Sequence, residues 1–113
     1  MQTTPSSPSP ADDALTVHVE SDFEALLPKF MTNRKKEVAA MREALAQQDF
    51  ETVRKIAHGM KGAGGSYGFD RVTTMAATIE QAAKAGSAQP IQTELDALAT
   101  YLEHVRIVFD ESA

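Results

Sequence analysis

The segment Ala57-His58-Gly59-Met60-Lys61-Gly62-Ala63-Gly64-Gly65-Ser66-Tyr67-Gly68 brings together one imidazole, one ammonium group and several glycines. An imidazole is a competent nucleophile when one ring nitrogen is held by a hydrogen bond and the other is free. On a helical wheel at about 100° per residue, His58 lies opposite the apolar stripe of its own segment. That stripe is Phe50, Val53, Ile56, Ala57, Met60, Gly64 and Tyr67, whereas Glu51, Arg54, Lys55, Lys61, Gly62 and Gly65 fall on the His58 side. The ring is therefore expected to face water from mid-helix, with Lys61 one turn beyond it. Lys61, with Arg54 and Lys55 nearby, supplies positive charge where a phosphoryl group on the ring would sit. Gly62 and Gly65 remove side chains beside the imidazole, so a bulky partner can approach it. A glycine inside a helix costs roughly 1 kcal/mol relative to Ala, and a neutral solvent face would not need these. Gly64 points inward, where it allows close helix packing.

Gly68 is a natural helix stop, so the next helix returns antiparallel. Residues at equal height then have numbers summing to about 138, given a turn near residue 69. Glu80 falls level with His58, beside the inward residues Ile79, Ala76 and Ala83. A carboxylate there can accept a hydrogen bond from one ring nitrogen and leave the other free. On the same flank Thr73 and Ala77 are small and leave a smooth docking surface. Arg54, Lys55 and Lys84 read as solvated charges that assist docking.

These side chains need a rigid frame. The chain has 113 residues, enough for one domain, and 42% of them are apolar. Strong helix formers dominate, β-branched runs are scarce and there is no Trp. Residues 1–13, with the run Pro5-Ser6-Ser7-Pro8-Ser9-Pro10, read as a disordered tail, and residues 14–113 as the folded domain. Leu15, Val17 and Val19 alternate, as in an extended stretch laid over the domain. Ser21-Asp22-Phe23-Glu24 has the form of a capping box. Phe23, Leu26, Leu27, Phe30, Val38, Met41 and Leu45 follow at helical spacing, with a kink expected at Pro28 and a gap in the stripe at Asn33 and Arg34. Asp49 is placed to cap the helix that carries His58, and Asp70 to cap the next, which ends at Gly86. Pro90 suits the first turn of a last helix whose seam is Ile91, Leu95, Leu98, Leu102, Val105 and Phe109. No internal repeat and no strand pattern stands out. Four amphipathic helices joined by short loops predict an all-α, antiparallel up-down four-helix bundle with a disordered or extended N-terminal tail.

Several function classes recede. The net charge of -5 is the reverse of what a nucleic-acid binder usually shows. There are no cysteines, so thiolate metal sites and thiol chemistry are excluded. His18 and His104 are isolated and lack metal-ligand spacing, so no metal site is expected. The glycine cluster is not a phosphate loop, because Lys61 precedes it and a helix, not a strand, leads into it. A dinucleotide fingerprint would need glycine at 67, which is Tyr. No apolar stretch approaches a membrane span, and Met1 to Pro10 have neither the basic region nor the apolar run of a secretory signal. A cytoplasmic monomer, bound neither to nucleic acid nor to membrane, is the expectation.

The pattern His58-x-x-Lys61-Gly62-x-x-Gly65-x-x-Gly68 resembles the signature of the histidine-phosphotransfer (HPt) family, including the phosphotransfer domains of hybrid sensor kinases. The likeness covers roughly residues 20–110, with Asp49-Phe50 leading into the active helix. It implies that His58 is phosphorylated through its outer nitrogen and that Lys61 stabilises the phosphoryl oxygens. It further implies that Gly62 leaves room for a receiver domain, and that Glu80 stands where family members place a Glu or Gln bonded to the active histidine. Tyr67 departs from the smaller aliphatic residue common there, and is expected to pack in the core. The implied partners are response-regulator receiver domains and a hybrid sensor histidine kinase. No cofactor of its own is implied, with Mg2+ belonging to the receiver. Two other classes compete: a helical adaptor that docks on a kinase or receiver without being phosphorylated, and a small structural bundle that self-associates.

Overall fold

A computed structural model describes residues 15–111. The Pro/Ser-rich segment 1–13 lies outside the described residues, as do 14, 112 and 113 of the expected 14–113 domain. Strand β1 (Thr16–Glu20) leads through a 3-10 turn (Ser21–Leu26) into α1 (Leu27–Ala46). Helices α2 (Phe50–Tyr67), α3 (Asp70–Lys84) and α4 (Ala88–His104) follow, and then strand β2 (Arg106–Asp110). Helix α2 packs on α3, α3 on α4, and α1 on both α2 and α4, which closes a ring around one core. Met41, Val53, Met60, Val72, Ile79, Ile91, Leu95 and Leu98 are fully buried there. Their spacing of seven along α2 and α3, and of four and three along α4, is the apolar stripe read from the sequence.

Helix α2 starts because the Asp49 carboxylate accepts from the Thr52 N–H at 3.1 Å and from its hydroxyl at 2.6 Å. It stops because Gly68 turns left-handed at φ 83°. The Phe69 N–H then bonds back to the Gly64 carbonyl at 2.8 Å, and the Phe69 ring is buried. His58 meets Glu80, and Gly64 meets Val72 and Thr73. Numbers rise on one helix as they fall on the other, so α2 and α3 are antiparallel neighbours.

Gly64 sets how close those helices come. A Cβ built there would lie 2.9 Å from Thr73 Oγ1, 3.0 Å from Val72 Cγ1 and 3.1 Å from the Thr73 backbone nitrogen. A Cβ at Gly62 would meet nothing within 4 Å. Gly64→Ala is therefore expected to destabilise the fold by about 1–3 kcal/mol through overpacking. Gly62→Ala should stabilise it by roughly 0.5–1 kcal/mol by lowering the entropy of the unfolded chain. Urea unfolding midpoints that moved the same way for both substitutions would refute this division of roles.

Several sequence expectations are corrected. The chain is not wholly α-helical, because β1 and β2 pair as a two-stranded parallel sheet with Val17 beside Ile107 and Val19 beside Phe109. Of the alternating Leu15, Val17 and Val19, the two valines are extended as expected and buried in β1, whereas Leu15 lies in the turn just before it. The last helix does not run to Phe109. It ends at His104, and the β-branched and aromatic run Ile107-Val108-Phe109 becomes β2, where its side chains fit a half-buried sheet better than a helix. Ser21 caps no α-helix; it opens the 3-10 turn, and Pro28 enters the first turn of α1, where its missing N–H costs nothing, so no kink follows. Asp70 is the first residue of α3, not its cap; Phe69 takes the cap position, while the Asp70 charge sits favourably in the first turn. The gap at Asn33 and Arg34 also resolves. Arg34 is buried, with its guanidinium 4.7 Å from the centre of the Phe30 ring and hydrogen bonds to Glu37 at 2.6 and 3.1 Å. Tyr67 packs half-buried against Phe23 and Phe30, with ring centres 5.3 and 4.6 Å away.

Candidate functional site

His58 is on the exposed face of α2, with two thirds of its side chain (66%) open to solvent. Its Nδ1 lies 2.9 Å from Oε2 of Glu80 on α3. The other oxygen of the same carboxylate, Oε1, is 2.8 Å from the Lys61 ammonium. Glu80 itself is only 5% exposed. One buried carboxylate thus ties an imidazole and an ammonium group that stand a turn apart on the neighbouring helix. A carboxylate partner requires Nδ1 to carry a proton, so in the neutral ring the lone pair is on Nε2, the nitrogen not engaged by Glu80.

Lys61 and then His58, by hydrogen bonding, hold the Glu80 carboxyl at about 2, against an ordinary 4.5. Glu80 is charged throughout the neutral range and keeps the ring in one orientation. A carboxyl so depressed contributes stability that is complete above 4.5 and is lost as pH falls from there through about 2. The stability difference between wild type and Glu80→Gln is therefore expected to shift toward the Gln variant across that acid window. Parallel pH profiles in thermal melts would contradict the assignment.

The other sequence-selected residues surround this triad unevenly. Gly62 and Gly65 are exposed beside His58, as the wheel requires. Thr73 and Ala77 are half-buried on α3, in one stripe with Glu80 and the exposed Lys84. Thr73 does more than stay small: its hydroxyl donates to the Lys61 carbonyl at 3.1 Å and ties α3 to α2. Arg54 is engaged by Glu51 through two side-chain hydrogen bonds, and Lys55 lies 4.0 Å from the same carboxylate. These two are therefore partly neutralised where the sequence reading has them lend charge to the site. Lys61 rests on Glu80, a pairing that the wheel of a single helix cannot show.

The sequence reading passes over Gly59. A Cβ there would meet nothing within 4 Å, and the residue adjoins His58 on the exposed surface. Its signal is the three-residue spacing to Gly62, which leaves two positions one turn apart bare on the exposed surface of α2. His18 and His104 stay outside the site. His18 Nδ1 lies 3.1 Å from Asp110, and His104 Nδ1 lies 2.9 Å from the Thr100 carbonyl of its own helix. Among the described residues no cluster of His, Asp and Glu is arranged to hold a metal ion, and no helix is long and apolar enough to cross a membrane.

Comparison with known proteins identifies the family. The family model for the Hpt domain matches residues 25–107. No curated protein and no solved structure matched the chain. The matched span runs from the 3-10 turn into β2 and takes in all four helices, and the chain therefore belongs to the Hpt domain family of two-component phosphorelays.

Proposed function

We propose that the protein is a phosphoryl carrier, accepting the group on His58 from a receiver-domain aspartyl phosphate and passing it to the aspartate of another receiver. The observation that carries this reading is the bond from an exposed His58 ring to the buried Glu80, which leaves Nε2 free as a nucleophile. In the forward step the Nε2 lone pair attacks phosphorus. The N–P bond forms as the bond from phosphorus to the donor's acyl oxygen breaks, and the donor carboxylate departs. Nδ1 keeps its proton and donates it in a hydrogen bond to Glu80 throughout. The second transfer is the same reaction reversed on a new carboxylate, with catalysis mostly by positioning and charge.

Lys61 is one turn from the ring and turns from Glu80 to a phosphoryl oxygen when the group arrives. Mg2+ belongs to the receiver. The chain needs no nucleotide, and its phosphoryl groups trace back to a hybrid sensor histidine kinase. Gly62, Gly65, Thr73 and Ala77 form the flat strip on which a receiver rests, and Arg54, Lys55 and Lys84 rim it. The short connections between helices support an antiparallel up-down order for the whole bundle, which keeps that strip rigid. The relay operates in the cytoplasm.

Phosphorylated carrier, freed of its donor and mixed with a second receiver and Mg2+, is expected to lose its label as the receiver gains it. Label that stays on the carrier, or leaves only as inorganic phosphate, would refute the role as an intermediate.

A further inference from the structure

Among the described residues, strand β2 has a partner on one side only, because the sheet they form consists of β1 and β2. The Arg106 N–H bonds the Leu15 carbonyl at 2.7 Å, which sets the phase of the strand. In a parallel ladder, residues 106, 108 and 110 then turn their backbone groups toward β1, and Ile107 and Phe109 turn theirs to the open edge. Side chains divide the other way. Ile107 and Phe109 are half-buried beside a groove lined by Leu27, Pro28 and Met31. Arg106, Val108 and Asp110 are exposed on the opposite face, Val108 to 41%.

The sequence Arg106-Ile107-Val108-Phe109-Asp110 is complementary to itself when run antiparallel about Val108. Arg106 then stands opposite the second copy's Asp110, and Asp110 opposite its Arg106. Ile107 and Phe109 face each other with their outward N–H and C=O groups aligned as a hydrogen-bonded pair. Val108 meets its symmetry mate as the closer, non-hydrogen-bonded pair. We propose that β2 pairs with β2 of a second copy of this chain, giving a two-fold dimer with one four-stranded sheet. The interface is isologous, so it closes at two copies. The sheet lies near Gly68, where a Cβ would be 3.9 Å from the His18 carbonyl, about ten residues or ~15 Å along α2 from His58. The His58 face stays open in the dimer.

A pair of five-residue strands covers less than a standard interface, so association belongs to the weak, concentration-dependent class. Sedimentation of the full chain from about 10 μM to 1 mM is expected to show a rising mean mass that levels at the dimer. Val108→Lys, which sets two like charges side by side at the two-fold, should remain monomeric with unchanged helical content. Arg106→Asp should weaken association roughly 10-fold, and adding Asp110→Arg should restore it, by the logic of a charge swap. Because Asp110 also contacts His18, thermal melts of each variant are recorded alongside. A wild type that stays monomeric at the highest concentration, or a Val108→Lys variant that associates as well as wild type, overturns the proposal. So does a chain that is monomeric alone and whose β2 amides respond only to an added receiver.

Discussion

His58→Gln is expected to lower phosphoryl acceptance from a phosphorylated receiver by at least about 10³-fold, to the background of unassisted hydrolysis. The Gln amide can still donate a hydrogen bond to Glu80, so the buried carboxylate keeps a partner. What disappears is the ring nitrogen with a free lone pair. Because the side chain is mostly solvent-exposed, the unfolding temperature should hardly move, as for other surface substitutions within about 0.5 kcal/mol. The readout is an acid-labile, base-stable phosphoprotein that forms with wild type and not with the variant. Equal labelling of both proteins would place the chemistry elsewhere.

Gly62→Trp should cut transfer by about 100-fold while the fold persists, since even a displacement near 1 Å from the reactive geometry costs that much. The position is exposed, and an added Cβ has open space around it, so nothing inside the protein resists the indole. The obstruction falls on the approaching receiver. Gly62→Ala is the control: it should add stability and leave transfer within a few-fold, because a methyl group occupies little of the approach path. The pair separates a surface kept bare for docking from a glycine kept for packing, which is the case at Gly64. Normal transfer by the Trp variant would remove the steric explanation for the glycines.

The helices and the His58–Glu80 pairing were legible because both rest on periodicity. Apolar residues at three and four spacings fix the inward face, and a single turn at Gly68 fixes which residues of α2 and α3 stand level. That arithmetic selects Glu80, and the 2.9 Å contact agrees. What the periodicity misses is set by tertiary competition. Val105 and Phe109 continue the seam of α4 on a wheel, yet β1 offers the backbone of residues 106–110 a ladder that a helix end cannot match. Ser21 has the sequence of a cap, but Pro28 defines where the α-helix can begin. Lys61 reads as a free cation on a one-helix wheel. Its ion pair with Glu80 depends on the second helix, and so does the Thr73 hydroxyl on its carbonyl. The same dependence links the site to the packing. Gly64 and Thr73 set the spacing between α2 and α3, and that spacing brings the Glu80 carboxylate within reach of both groups on α2.

The most direct measurement uses protein labelled with 15N in its histidines, incubated with a phosphorylated receiver and Mg2+, and read by long-range proton–nitrogen NMR correlation. The expected result is phosphorylation of His58 alone, at Nε2, with Nδ1 still protonated. Phosphorylation of His18 or His104, attachment at Nδ1 of His58, or no phosphohistidine with any receiver that transfers to other carriers would contradict it.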